Sequence, residues 1–94
     1  QMTLTDILEH LADYGEEALL MEPRSKYDEC ILGIGYRFND GPLPIYSIEQ
    51  VLAVLESDGM DVEGAVEWFD FNVLGGWNGA GTPIYAHEFE MRRD

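Results

Sequence analysis

Nineteen aspartates and glutamates stand against five lysines and arginines in this chain of 94 residues, a formal net charge of −14. Unpaired carboxylates are costly to bury, so the surplus must lie on the surface and the fold must keep an acidic exterior. Solubility asks a small domain for only about 2–8 charges in magnitude. Acidic tails that stay disordered lack apolar residues, whereas here 46% of residues are hydrophobic and 12% aromatic. The chain therefore reads as a folded domain whose field repels nucleic acid and attracts basic partners.

Residues 1–94 make one domain, and Gln1 ahead of Met2 reads as an added residue. No apolar run reaches the ~18–20 residues of a membrane helix, and residues 2–20 lack the pattern of a signal peptide. The single cysteine, Cys30, allows no internal disulfide. It fits a reducing cytoplasm and a buried structural thiol.

Thr3 with Asp6 three residues on predicts a capping box that starts a helix running to about Leu20. Leu4, Ile7, Leu8, Leu11, Ala18 and Leu19 recur at helical spacing along it. Gly15 marks a weak point or a close contact within it. Pro23 ends the helix. Residues 30–38 read as a strand, with Cys30, Leu32, Ile34, Tyr36 and Phe38 on one face, and Gly33 and Gly35 signal a bulge or a close approach. Asn39-Asp40-Gly41-Pro42 is a turn, and residues 43–46 pair back as a hairpin.

Ser47 caps a second helix with Gln50 closing the box, and Ile48, Val51, Leu52 and Leu55 form its stripe. Asp58-Gly59 ends it, Gly59 taking the left-handed position. Asp61 caps a third helix to about Asn72, with Val62, Ala65, Val66 and Phe69 on one face. Trp68 and Phe71 widen that arc, so this helix is expected to be buried on more than one side. A glycine-rich loop around Trp77 follows, and residues 82–89 read as the last strand. The expectation is an α+β domain in the order α-β-β-α-α-β: three helices and a small, about three-stranded antiparallel sheet.

No constellation carries chemistry. His10, His87 and Cys30 lack metal-ligand spacing. Asp58–Glu63 lacks the order of a calcium loop. Gly33-Ile34-Gly35 lies inside a strand, and the Gly75–Gly81 loop has no Lys-Ser/Thr. No nucleophile elbow or Cys–His pairing is present. The chain is expected to be no enzyme and to need no cofactor or metal.

The acidic surface is more specific. Asp6, Glu9, Asp13 and Glu16 step by three and four residues and share one face of the first predicted helix. Neighbours at that spacing lie about 5–6 Å apart, comparable to successive phosphates along a nucleic-acid strand. Glu63, Glu67 and Asp70 repeat the pattern on the third helix. Trp77, in its glycine-rich loop, is a second candidate contact, since loop aromatics make good anchors when exposed.

Glu22-Pro23-Arg24, Asp58-Gly59-Met60 with Glu63 and Ala65, Trp68-Phe69-Asp70-Phe71-Asn72, Gly76-Trp77-x-Gly79 and Thr82-Pro83 together resemble short acidic, uncharacterised proteins of bacteriophages and prophages. The resemblance spans roughly residues 20–85. It implies a phage origin and no particular mechanism. By analogy of charge and size, it suggests an anti-CRISPR-like inhibitor in the host bacterial cytoplasm. Such a protein binds a host protein or ribonucleoprotein with a basic surface, contacts no nucleic acid or membrane, and is a monomer or dimer. The alternative is a phage accessory or adaptor protein that binds through the Trp77 loop without nucleic-acid mimicry.

Overall fold

A computed structural model describes residues 2–76 and 79–90. Trp77 lies outside the described residues. Helix α1 spans Leu4–Tyr14 and starts at the expected capping box: Thr3 accepts from the Asp6 N–H, and the Asp6 side chain accepts from the Thr3 N–H. It stops well short of Leu20. Gly15 closes it, donating to the Leu11 carbonyl at 2.8 Å. A side chain at Gly15 would crowd the carbonyl oxygens of Leu11 and Pro42. Asp13, Glu16 and Glu17 would also place negative charge at the negative end of a longer helix, with no basic residue in its last turn to offset them.

Residues 18–22 then run as a strap. The Leu19 N–H donates to the Gly81 carbonyl at 2.9 Å, and the Met21 N–H to the Tyr46 hydroxyl at 2.8 Å. A short helix, α2 (Arg24–Tyr27), and a 3-10 turn at Asp28–Cys30 follow, where the sequence suggested only a helix end. They bury Tyr27 and Cys30.

Strand β1 covers Ile31–Gly35 and strand β2 covers Leu43–Ser47. They pair antiparallel, with an irregularity between Ile31 and Gly33 that places Ile31 opposite Tyr46. That slip, which the two glycines signalled, breaks the predicted alternation. Ile31 is buried, Leu32 is half-buried, and Tyr36 and Phe38 are exposed.

Ser47 starts α3 (Ile48–Ser57), its hydroxyl accepting from the Gln50 N–H at 3.1 Å. The Gln50 side chain does not close a box; it donates to Glu88. Gly59 takes the expected positive φ of 114°. Asp61 accepts from the Gly64 N–H at 2.7 Å and opens α4 (Val62–Phe69). A π-helical turn, Asp70–Leu74, prolongs it. Strand β3 is only Ile84–Ala86 and pairs parallel to β2.

The described residues thus form an α+β fold of four helices and a three-stranded sheet in the order β1-β2-β3. The sheet is mixed rather than antiparallel. Two helices connect β2 to β3, and a crossover of that kind returns the chain in its starting direction. Pro44, which has no N–H to give, lies outside the β3 register, where only β1 pairs with it. The last strand is shorter than residues 82–89 because the Glu88 side chain is captured by Ser47 and Gln50.

Tyr46, Val51 and Ala65 are fully buried, and Ile7, Leu11, Leu55 and Phe69 close around them. Tyr46 stacks on Tyr85 with ring centres 5.7 Å apart, and Phe69 meets Tyr85 edge-on at 5.5 Å. The expectation of a helix α4 buried on several sides fails. Val62, Val66, Trp68 and Phe71 are all exposed. Helix α4 lies on α3 as an outer layer, so only the side carrying Ala65 and Phe69 is covered.

Candidate functional site

The charge balance of the surface is decided by a few pairs. Among the described residues there are three lysines and arginines, and each is engaged. Arg24 holds Asp28 at 2.9 Å, Lys26 holds Asp58 at 2.9 Å, and Arg37 holds Asp40 at 3.0 Å. Arg37 also donates to the carbonyls of Ala80 and Thr82. Asp28, Asp58 and Asp40 lie outside the predicted acidic stripes.

Asp6, Glu9 and Asp13 are exposed along α1, opposite buried Ile7 and Leu11. Glu16 does not join them. It lies in the turn after Gly15, beside a cavity of about 170 Å³ that Asn39 and Asp40 also line. The α1 stripe is therefore three carboxylates long. Glu63 and Glu67 are exposed on α4, and exposed Asp70 opens the π turn beyond them. Helix α1 packs on β1 and α4 on α3, so the two acidic rows have different supports.

Sequence reasoning missed the apolar border of the α4 row. Phe71 is 84% exposed, and with Glu67 and Asp70 it lines an open depression of about 440 Å³. Trp68, one turn earlier, lines a separate groove of about 310 Å³ with Leu20, Met21, Val73, Pro83 and Tyr85. The signal was available in the helical projection. Ala65 and Phe69 fix the inward direction, and Phe71, two residues past Phe69, points away from it.

A second polar cluster sits at the start of α3. Ser47 donates to Glu88 at 2.6 Å, the Glu88 N–H donates to Glu49 at 2.8 Å, and His87 Nδ1 contacts Glu49. Burial pushes the Glu49 carboxyl up. The hydrogen bond with His87 and the backbone N–H groups of Glu88 and Glu49 outweigh this and hold it below its ordinary value. Serine, histidine and carboxylate are present, but Ser47 is fully buried and faces Glu88 rather than His87. The cluster clamps the segment after β3 onto α3 and lacks the nucleophile–base contact of acyl-transfer chemistry. No three metal-ligating side chains converge among the described residues. No described helix is long and apolar enough to cross a membrane. The chain matches no protein-family model, and comparisons with curated proteins and with solved structures give no match.

Proposed function

We propose that this chain is an acidic binding protein of phage type that occupies the basic nucleic-acid-binding surface of a host complex, as an anti-CRISPR-like inhibitor does, in the host bacterial cytoplasm. One observation supports this most. The described lysines and arginines are held by Asp28, Asp58 and Asp40, none of which belongs to the acidic rows, while Asp6, Glu9, Asp13, Glu63, Glu67 and Asp70 are exposed. Like charges at helical spacing weaken a helix by tenths of a kcal/mol per pair. A partner rich in lysine and arginine relieves that repulsion and gains rapid, salt-sensitive association.

The test is capture of partners from bacterial lysate, with bare DNA as competitor. A mimic releases its partner when DNA is added, and binding weakens steeply with salt. Reversing Asp6, Glu9 and Asp13 together to lysine should abolish capture. Because Asp6 also closes the capping box of α1, Glu9→Lys with Asp13→Lys, which keeps that cap, should weaken capture in the same direction with the circular dichroism unchanged. Glu16→Lys, off the helix, should have a smaller effect. A partner that binds DNA and this chain at the same time would sink the mimicry.

A second reading is an adaptor that binds through the loop around Trp77. The exposure of Phe71 and Leu74 just before that loop favours it. Loss of binding on Trp77→Ala, with the triple reversal still binding, would select it.

A further inference from the structure

The outer side of α4 combines two features that acidity alone does not require. A row of carboxylates, Glu63, Glu67 and Asp70, runs along it. Next to that row stands Phe71, and beyond Phe71, one helical turn back, Trp68 forms a wall of the 310 Å³ groove. Residues three and four apart on a helix are neighbours, so Glu67, Trp68, Phe71 and Asn72 adjoin one another. The surface thus passes from acidic row to aromatic ridge to apolar groove within the width of one helix.

We infer that this surface is a docking site for a basic amphipathic segment of a partner protein. The apolar side of the segment covers Phe71 and enters the groove beside Trp68, and its lysines and arginines lie along Glu63, Glu67 and Asp70. The inference rests on the reading that the partner is basic, and it names the surface and the form of the ligand.

Charge selects this occupant over the others. A second copy of the chain would set one acidic row against another, at a net charge of −14 per copy. A neutral apolar segment would leave the carboxylates without counter-charge and partly desolvated. A purely basic strand, like a purely electrostatic groove, would leave Phe71 in water. Only a segment with both characters covers both parts, as helices do when they dock by an apolar face. Phe71 has the position of an interface anchor: a large ring ready to be buried, bordered by groups that exclude water once a partner is seated.

The test uses the whole chain carrying Trp77→Phe, so that Trp68 alone reports by fluorescence. It is titrated with three synthetic peptides of equal length: a helical Leu/Lys peptide, an oligolysine, and a Leu/Gln peptide. The Leu/Lys peptide should shift Trp68 emission and bind at least about tenfold more tightly than either control, the size expected when one anchor is buried. Phe71→Ala should remove about that factor for Leu/Lys and leave oligolysine unchanged. Because Phe71 is 84% exposed, the variant should keep its circular dichroism and melting temperature. Glu67→Gln with Asp70→Asn should weaken both basic peptides. Equal binding of oligolysine and Leu/Lys, insensitive to Phe71→Ala, overturns this inference and leaves the basic-partner reading standing. Tight binding of Leu/Gln overturns the charge half of the inference. No binding by either basic peptide overturns the inference and the basic-partner reading together.

Discussion

The Tyr46 hydroxyl accepts the backbone N–H of Met21 at 2.8 Å, 25 residues back along the chain. Tyr46 is fully buried in the central strand, and the bond ties the strap after α1 to the middle of the sheet. Tyr46→Phe keeps the ring and orphans the Met21 N–H. It should cost about 1–3 kcal/mol in chemical denaturation. Burial pushes Tyr46 and Tyr85 up to about 12. A tyrosine raised in this way supports the fold fully below its unfolded value of about 10 and loses that support as pH climbs toward the folded value. Stability should fall between about pH 10 and 12, and phenolate absorbance should rise late in that window. Tyr46→Phe should remove part of the late rise.

Phe69 and Phe71 stand two residues apart with opposite surroundings, 2% and 84% exposed. Phe69→Ala should cost about 3–5 kcal/mol, because it empties the space against Tyr85. Phe71→Ala should stay within about 0.5 kcal/mol of the parent. A large loss at Phe71 in urea unfolding would place that ring in the core and remove it from any interface.

Two glycines should respond oppositely to alanine. At Gly81 a Cβ would collide with the Glu17 carbonyl, because the two backbones touch where Leu19 donates to Gly81. Gly81→Ala should lower stability by about 1–3 kcal/mol or more. At Gly33 nothing lies within 4 Å of the added carbon and φ is ordinary. Gly33→Ala should be neutral or stabilise by up to about 1 kcal/mol. Thermal melts of the two variants check the pair.

Glu49 sets an acid limb. Its folded value is lowered, so its contribution is present above the unfolded glutamate value, about 4.3, and is lost as pH falls through the folded one. The melting temperature of Glu49→Gln should sit below that of the parent at neutral pH, and the gap should close on acidification below about pH 4. A gap that stays constant to low pH would show that the clamp on the segment after β3 does not depend on this charge.

Local signals carried most of the fold. Thr3-x-x-Asp6, Ser47 and Asp61 each fixed a helix start through a short side-chain bond, and Gly59 fixed an end. Those cues act over a few residues and can be read directly. The failures lie where distant segments decide. Helix α1 ends where Gly15 meets Pro42, the last strand ends where Glu88 meets Ser47, and the β2–β3 pair is parallel because of everything between them. The acidic rows were legible because carboxylates at helical spacing stay outside in any packing. Glu16 left its row only because the helix stopped. The prominence of Phe71 was hidden by its hydrophobicity, which was weighed above a helical spacing that sets it opposite Phe69.

The parallel pairing of β2 with β3 has a consequence for how the molecule assembles. The β1–β2 hairpin closes a short loop, whereas bringing Ile84 beside Ile45 closes one that contains two helices. The entropy of that closure is lost before the long-range contacts compensate it, so the second event is expected to be the slower of the two. Until it occurs, β2 carries an open edge, a template for pairing with the wrong strand. An intermediate of this kind invites aggregation in most proteins. Here the same surplus of carboxylates keeps neighbouring half-folded chains apart while the edge waits for β3.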